Sequence, residues 1–307
     1  MAGKLFLRPG AVLASTASAV VLKLSSGNYF AKIILVSAIT ESKFAWEPVT
    51  PRGVAAFARA SLERLLVVQS VFALLAVFAV VRLLADGFFP TVDAAIASLP
   101  DRGDIRHGRL LLAGTNEMPP KILGAGHFLA ITLDTQNSHA LRTPAHFQLE
   151  FTGDSLVIIS LLGEMEIPYP PDRAFYFNRA DLRPAWGAWA PDFLGLAAIG
   201  TFFGLLLVWW LLAMVYFLPV WLVGFFTDRR LNFRAAWKLS GAAQMPGALL
   251  MSLGLALYAL GVFDLVQLAF AFTMHLVISW IYIFVSPMFL DRATAAENKN
   301  PFTPSKN

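Results

Sequence analysis

Two long apolar runs constrain this chain more than any other feature. Residues 193–226 form a run of 34 without a charged side chain, and residues 246–290 form a run of 45 in which Asp264 is the only charge. A helix that crosses a bilayer needs about 20 mostly apolar residues. A soluble domain of this size cannot bury so much continuous apolar chain. The runs therefore predict an integral membrane protein.

The charges are distributed unevenly along the chain. Residues 86–192 carry 8 Lys/Arg and 13 Asp/Glu, a net charge of −5, whereas the rest of the chain carries 16 Lys/Arg and 7 Asp/Glu, a net charge of +9. Cations that flank membrane spans mark the cytoplasmic side. The pattern predicts that both termini and the 228–241 loop are cytoplasmic and that residues 86–192 lie outside. The same pattern accounts for the net positive charge of the chain, so nucleic-acid binding is not needed to explain it.

Four spans satisfy this orientation and divide the chain into segments. The predicted segments are a cytoplasmic or interfacial N-terminal segment (1–62), a first span (63–85), an extracytoplasmic β-rich domain (86–192), a second span kinked or ended at Pro219 (193–227), a basic cytoplasmic loop (228–241), a third span (242–263), a fourth span (264–290) and a disordered cytoplasmic tail (291–307). Gly261 suits a helix stop and Asp264 a following N-cap, which predicts a tight outer hairpin. The predicted fold class is an α-helical membrane bundle with an inserted small β-rich domain of the α+β type.

The N-terminal segment is basic and only partly amphipathic. Lys4 and Arg8 precede an apolar stretch, as in a signal peptide. Ser15 and Thr16 interrupt that stretch, and Lys32 would be costly inside a bilayer. An interfacial cytoplasmic segment is therefore favoured over a cleaved leader or a fifth span.

The inserted domain has the composition of short strands separated by turns. The predicted strands are 108–113, 127–134, 146–151, 155–160 and 164–168. In the clearest hairpin, Phe147, Leu149 and Phe151 alternate with polar residues. This alternation predicts that the apolar face of the hairpin is buried and that its polar face is exposed to solvent.

Two short helices are expected to join the domain to the spans. Residues 91–98 have the composition of a helix that leaves the membrane, and Asn178 is expected to begin another helix. The second helix leads to Trp186 and Trp189, which occur where an outer aromatic belt should lie.

Several motifs form a series between residues 104 and 239. They are Asp-Ile-Arg-His-Gly-Arg-Leu at 104–110, Pro-Pro at 119–120, Phe-Leu-Ala-Ile-Thr-Leu-Asp-Thr at 128–135, Gly-Asp-Ser-Leu-Val-Ile at 153–158, Ile-Pro-Tyr at 167–169, Phe-Asn-Arg-Ala-Asp-Leu at 177–182 and Leu-Asn-Phe-Arg-Ala-Ala-Trp-Lys-Leu at 231–239. The series resembles an uncharacterised bacterial membrane family, domain of unknown function 1189, across about residues 60–290. The resemblance implies one span, an external β domain and a bundle of spans, within a broader group similar to Yip-type membrane proteins. It supplies no catalytic residues.

A serine-hydrolase motif is present but poorly placed. Gly-Asp-Ser-Leu at 153–156 matches the GDSL tetrapeptide, and residues 104–107 match the Asp-x-x-His of such enzymes. A nucleophilic serine needs a histidine base and an orienting carboxylate. Here the Asp-x-x-His precedes the serine instead of following it, and a hairpin turn explains the Gly-Asp pair. No catalytic residue is therefore predicted.

Four histidines of the domain are spaced too widely for a typical zinc site. His107, His127, His139 and His146 are separated by 20, 12 and 7 positions. Structural zinc sites usually contain a close histidine or cysteine pair, and the chain has no cysteine. Neither a metal nor a cofactor is predicted.

Polar residues follow one face of the fourth span. They are Asp264, Gln267, His275, Ser279 and Ser286. An ionisable group within a span is a functional hypothesis by default, so His275, Gln267 and the depth-matched Ser252 form a candidate intramembrane polar site. A neutral histidine that joins two helices through one hydrogen bond, worth about 0.6 kcal/mol, is the favoured interpretation.

Glycines recur at helix-packing intervals. Gly247, Gly254 and Gly261 are seven residues apart in the third span, and Gly200 and Gly204 form a G-x-x-x-G motif in the second. Such spacing lets helix backbones approach closely. Packing inside the bundle is the favoured interpretation, and contact with a partner protein is the alternative.

Together these features favour a non-enzymatic protein of the bacterial cytoplasmic (inner) membrane. Its expected role is that of an accessory, assembly or interaction subunit that presents the external domain to a protein or envelope ligand. The expected partners are the lipid bilayer and other membrane or envelope proteins, in a homo- or hetero-oligomer. The alternative is a small transporter, or a component of a transport system, that uses His275.

Overall fold

The structure, a computed structural model, describes residues 45–112 and 119–292. Within these residues, four helical runs are long and apolar enough to cross a membrane: Leu62–Ser98, Arg179–Phe226, Phe233–Ala259 and Leu265–Phe289. A separate small β region lies between the first and second runs. The prediction of four spanning-length helices and an inserted β region is therefore confirmed. The interfacial segment, the signal-peptide alternative and the tail were predicted mainly for residues 1–44 and 293–307, outside the described residues.

The first helical run extends beyond the predicted span. Helix α1 (Pro51–Ala56) precedes helix α2 (Leu62–Arg82), whose first turn is capped by the Ser61 hydroxyl oxygen accepting from the amide of Arg64 at 3.3 Å. A π-helical stretch (Leu83–Phe88) follows and leads directly into α3 (Phe89–Ser98). Residues 91–98 are thus helical, as expected, and α3 continues from the span without an intervening loop.

The second run is a single helix, α4 (Arg179–Phe226), of 48 residues. Asn178 caps it, since its side-chain oxygen accepts from the amide of Asp181 at 2.9 Å. The helix continues through Pro219 to Phe226, so the proline does not end the span, and residues 221–226 belong to the helix instead of an interfacial turn. At 1.5 Å per residue α4 is about 70 Å long, against a hydrocarbon core of about 30 Å. The helix is therefore more than twice as long as such a core is thick, and its first turns pack against α3.

The third and fourth runs form a helical hairpin. The predicted basic loop ends early, because Asn232 caps a helix through the amide of Ala235 at 2.8 Å. The helices are α5 (Phe233–Ala243), α6 (Met245–Ala259) and α7 (Leu265–Val285), followed by a 3-10 turn (Ser286–Phe289). The expected turn between α6 and α7 is present: Gly261 has a φ of 71°, and Asp264 and Gln267 form a reciprocal capping box.

The β region contains two sheets. The smaller has the strand order β2-β1-β8, and the larger has the order β3-β4-β5-β6-β7. The strands are β1 (Gly103–Arg106), β2 (Arg109–Leu112), β3 (Lys121–Ala125), β4 (Leu129–Asp134), β5 (Phe147–Thr152), β6 (Ser155–Ser160), β7 (Gly163–Pro168) and β8 (Phe175–Tyr176). All five predicted strands are present with small shifts in their ends, whereas β1, β3 and β8 were not predicted.

The polar face of β5 is buried, whereas the alternation predicted that it is exposed to solvent. Strands β4 and β5 are parallel neighbours, so their connection (135–146) must cross one face of the sheet. Gln148, Glu150 and Thr152 are buried, with 3%, 0% and 1% exposure. On the apolar face, Phe147 is 39% exposed, but Leu149 and Phe151 are partly buried against the hydrophobic core, as predicted. The prediction for the polar face failed because alternation alone does not reveal a crossover that covers it.

Basic segments meet at the end of the bundle away from the β region. Arg59 donates to Asp291 at 2.6 Å, and Arg229 forms an isolated antiparallel bridge with Arg292. The ammonium of Lys238 donates to the carbonyl of Ala60 at 2.6 Å. These contacts join the chain before α2, the chain after α4 and the chain after α7.

Candidate functional site

The larger sheet, helix α3 and the first turns of α4 together line an apolar cavity. Its volume is ≈ 910 Å³, within the range of about 300–1,000 Å³ that is usual for small-molecule sites. No charged residue of the described chain lines it. The residues that define its walls include Val92 and Ile96 of α3, Ile131 and Phe151 of the sheet, and Leu182, Ala185, Trp186, Trp189 and Phe193 of α4.

The α4 wall follows from residue spacing on one helix face. Leu182, Trp186, Trp189 and Phe193 are separated by 4, 3 and 4 positions, so they lie along one side of the helix. The Trp186 indole N–H donates to the Asp93 carboxylate at 2.8 Å. This bond fastens α4 to α3 and holds the two helical walls together.

The sheet wall depends on a close approach of β3 to α3. A Cβ placed on Gly124 would lie 2.5 Å from the carbonyl oxygen of Thr91 and 3.0 Å from the amide nitrogen of Ala95. Glycine therefore permits a contact that a side chain would prevent. Farther along the wall, the rings of Phe151 and Phe177 lie 4.7 Å apart between centroids.

The cavity is continuous with the apolar surface of α4. Trp189 is 59% exposed and Phe193 is 50% exposed, and both also line the cavity. Phe193 is the first residue of the uncharged run. An apolar molecule on the surface of α4 could therefore enter the cavity without passing a charged lining residue.

A second candidate is the polar cluster under the crossover. The Glu150 carboxylate lies 2.7 Å from Nδ1 of His139 and accepts from the Gln148 amide at 3.1 Å. The Asp134 carboxylate accepts from the Ser138 hydroxyl at 2.8 Å and from the His139 amide at 2.7 Å. The buried carboxylates of Asp134 and Glu150 thus find partners in the exposed 135–146 connection, and these bonds fasten the connection to the sheet.

The geometry around Ser155 does not resemble a serine-hydrolase site. Ser155 is 2% exposed, and its hydroxyl lies 2.8 Å from that of Thr152. None of the described histidines forms a hydrogen bond with it. Tyr169 donates to the Thr152 carbonyl at 3.2 Å, and burial raises the pKa of Tyr169, with a further rise from Asp154. These contacts are typical of a structural turn.

The intramembrane polar residues predicted from the sequence do not form one cluster in the described structure. The His275 ring bonds to the carbonyl of Phe272 in its own helix, and Ser252 donates to Ala248 at 2.8 Å in its own helix. Gln267 belongs to the capping box at the start of α7. No described contact favours a relay, so the transporter alternative stays a prediction.

The predicted packing glycines have different surroundings. A Cβ on Gly247 would overlap the Ser279 hydroxyl and the His275 carbonyl, and a Cβ on Gly254 would lie 3.0 Å from that of Ala271. These two glycines therefore let α6 approach α7. Gly200, Gly204 and Gly261 have no described neighbour within 4 Å of such an atom.

Histidines connect the β region to the helical hairpin. His146 Nδ1 lies 2.6 Å from the Tyr258 hydroxyl near the end of α6. The His127 and His146 ring centroids lie 4.7 Å apart, and the Phe128 ring is 4.8 Å from that of Tyr258. Burial lowers the pKa of His146, the charge of His127 lowers it further, and Asp264 acts in the opposite direction.

The histidines and carboxylates do not form a metal-binding group in the part of the chain that the structure describes. No set of three or more His, Cys, Asp or Glu side chains there could hold an ion.

No family model matches the chain, and neither does any curated protein or solved structure.

The cavity was not predicted from the sequence, although two of its lining residues, Trp186 and Trp189, were named there. The spacing of Leu182, Trp186, Trp189 and Phe193 was visible, but the two tryptophans were assigned only to an aromatic belt. The opposite wall comes from α3 and the sheet, which are distant in sequence. Only the tertiary arrangement brings these walls together.

Proposed function

We propose that this chain is a four-span membrane protein whose β region binds the apolar chain of a lipid-like ligand. The cavity between the larger sheet, α3 and α4 is the observation that carries this proposal. In this account the protein is a non-enzymatic accessory or interaction subunit, and its external partner is an envelope lipid or lipid-linked compound. The domain layout implied by the resemblance to domain of unknown function 1189 belongs to the same proposal.

The exposed helix surfaces support membrane insertion. Phe203 is 63% exposed, Leu211 56% and Phe270 65%. Soluble monomers rarely expose contiguous apolar patches larger than a few hundred Å². Lipid would cover these side chains at no desolvation cost.

The arrangement of charge supports the proposed orientation. Arg59, Arg229 and Lys238 lie at the end of the bundle away from the β region and make contacts there. Basic residues beside spans favour the cytoplasmic side. This supports a cytoplasmic location for that end and an extracytoplasmic location for the β region, in the bacterial inner membrane.

The chemistry of the lining favours a hydrocarbon ligand. The cavity presents aliphatic and aromatic side chains with no charged group among the described lining residues. Such a surface gains about 0.8 kcal/mol for each methylene group that it removes from water. It offers no partner for a buried phosphate or sugar, so the polar head of the ligand would remain at the mouth, near Trp189.

Fluorescence titration tests the proposal, because Trp186 and Trp189 line the cavity. Delipidated protein in detergent is titrated with a dibrominated fatty acid and, separately, with the unbrominated acid. Saturable quenching by the brominated acid is expected, since bromine near an indole quenches its emission. Ala185→Phe fills the cavity and should weaken binding by about tenfold, the effect of losing roughly two buried methylene groups.

Ala188→Phe is the matched control. Ala185 and Ala188 are both exposed on α4, but only Ala185 lines the cavity. Equal saturable quenching in the two variants would contradict the proposal. Quenching that rises linearly without saturation would also contradict it, because it would indicate partition into the detergent.

A further inference from the structure

A second cleft lies at the opposite end of the bundle. Its volume is ≈ 720 Å³, and it is formed where the start of α2 meets α4 and α5. Its apolar walls include Leu62, Met214, Phe217, Phe233 and Trp237. Arg234 and Lys238 also line it, one turn apart on α5. The cleft therefore combines an apolar channel with two cations.

Several hydrogen-bond donors of the residues that line this cleft have no acceptor among the described residues. The Lys238 ammonium donates to the Ala60 carbonyl at 2.6 Å, and an ammonium has three donors. Neither Lys238 nor Arg234 pairs with a carboxylate among residues 45–112 and 119–292. The buried indole N–H of Trp237 likewise has no hydrogen-bond partner in that part of the chain.

We propose that this cleft binds an anionic phospholipid from the leaflet on its side of the membrane. The acyl chains would lie against Met214 and Phe217, and the phosphate would accept from Arg234 and Lys238. Basic pockets between spans on the cytoplasmic side are suited to anionic lipid head groups. The proposal depends on membrane insertion but not on the cavity beside the sheet.

Charge complementarity favours a lipid over the chain's own N-terminal segment. Residues 1–44 contain five Lys/Arg and one Glu. A segment with this excess of positive charge would be repelled by Arg234 and Lys238, whereas an anionic lipid would be attracted. We therefore expect an anionic lipid, and not residues 1–44, to occupy the cleft.

Native mass spectrometry of the full-length protein tests the site. Protein in detergent is titrated with phosphatidylglycerol or with phosphatidylcholine of the same acyl chains, and bound lipids are counted. One phosphatidylglycerol should bind at least about tenfold more tightly than phosphatidylcholine, because two cations contact its head group. Arg234→Gln combined with Lys238→Gln should remove this preference. Arg230→Gln, which alters an exposed cation outside the cleft, should preserve it.

Three results would overturn the inference. They are equal affinity for the two lipids, equal loss in the Arg230→Gln control, and full competition by inorganic phosphate, which would indicate a free-anion site. Lys238→Arg provides a folding check, since it keeps the charge and should retain the preference. Ala185→Phe should leave phosphatidylglycerol binding unchanged, which separates failure at this cleft from failure of the cavity proposal.

Discussion

His146 Nδ1 lies 2.6 Å from the hydroxyl of Tyr258, and this hydrogen bond joins the β region to the hairpin between α6 and α7. The two rings are stacked, with centroids 5.5 Å apart and an interplanar angle of 16°. The Phe128 ring centroid lies 4.8 Å from that of Tyr258, and a Cβ on Gly87 would meet the Phe128 ring at 2.6 Å. The β region is therefore held on the helices by a compact aromatic junction.

The surroundings of His146 predict how its pKa responds to substitution. His127→Gln should raise the pKa of His146, because it removes a neighbouring charge that lowers it. Asp264→Asn should lower the pKa further while keeping a side chain able to cap α7. NMR titration of the histidine ring protons checks both shifts, and shifts of the same sign would contradict the assignment.

The direction of that pKa shift also predicts the pH dependence of stability. A histidine whose pKa is lower in the folded state binds more protons when unfolded at acidic pH. Its contribution to stability is therefore present above its ordinary pKa of 6.5 and is lost as the pH falls through the folded value. Thermal unfolding of the wild type should show this loss, and His146→Gln should reduce it. An unchanged pH profile in that variant would count against the prediction.

Gly247 should be far less tolerant of alanine than Gly200. A Cβ at Gly247 overlaps Ser279 and the His275 carbonyl, so α6 and α7 must separate, at a cost of about 1–3 kcal/mol. At Gly200 no described atom lies within 4 Å, and alanine should stabilise the helix by roughly 0.5–1 kcal/mol. Thermal unfolding in detergent compares the two variants. A large loss at Gly200 would indicate that another chain covers that face.

The buried Glu150 should contribute more to stability than the exposed Glu164. Glu150→Ala leaves the His139 ring without its carboxylate partner and removes one of the three acceptors of the Gln148 amide, at a cost of about 1–3 kcal/mol. Glu164→Ala removes only an exposed 3.3 Å contact with Arg142 and should cost less than about 1 kcal/mol. Hydrogen exchange across residues 135–146 should accelerate in the first variant alone. Similar exchange in both would refute a fastening role for Glu150.

The absence of cysteine allows a direct test of orientation. Leu162 is 100% exposed in the turn between β6 and β7, and Arg230 is exposed at the opposite end. In intact cells, a membrane-impermeant maleimide should label Leu162→Cys, and it should label Arg230→Cys only after permeabilisation. The reverse pattern would invert the proposed topology.

The features set by local chemistry could be predicted from the sequence. The uncharged runs predicted the long helices, and Gly261 with Asp264 predicted the hairpin turn. Pro219 suggested a kink or an end of the span, but α4 does not end there and continues to Phe226. Prolines are tolerated inside such helices where neighbouring groups satisfy the freed backbone carbonyl. Asn232 was overlooked as a cap because four cations nearby suggested a loop.

The features set by distant contacts could not be predicted in this way. The crossover between the parallel strands β4 and β5 buries the polar face of β5 as well as its apolar face, and nothing in the alternation of Phe147, Leu149 and Phe151 indicates it. The cavity likewise needs Val92, Phe151 and Trp186 from three separate elements. The His146–Tyr258 bond spans 112 positions of the chain.

Photo-crosslinking tests the apolar cavity most directly. A fatty acid with a diazirine near its tail is bound to the full-length protein, irradiated, and located by peptide mass spectrometry. Labels are expected between Val92 and Leu99, on α3 and its C-cap, and on α4 between Leu182 and Phe193, with loss of both in Ala185→Phe but not in Ala188→Phe. Labels spread along the exposed helix surfaces, unchanged by Ala185→Phe, would contradict it.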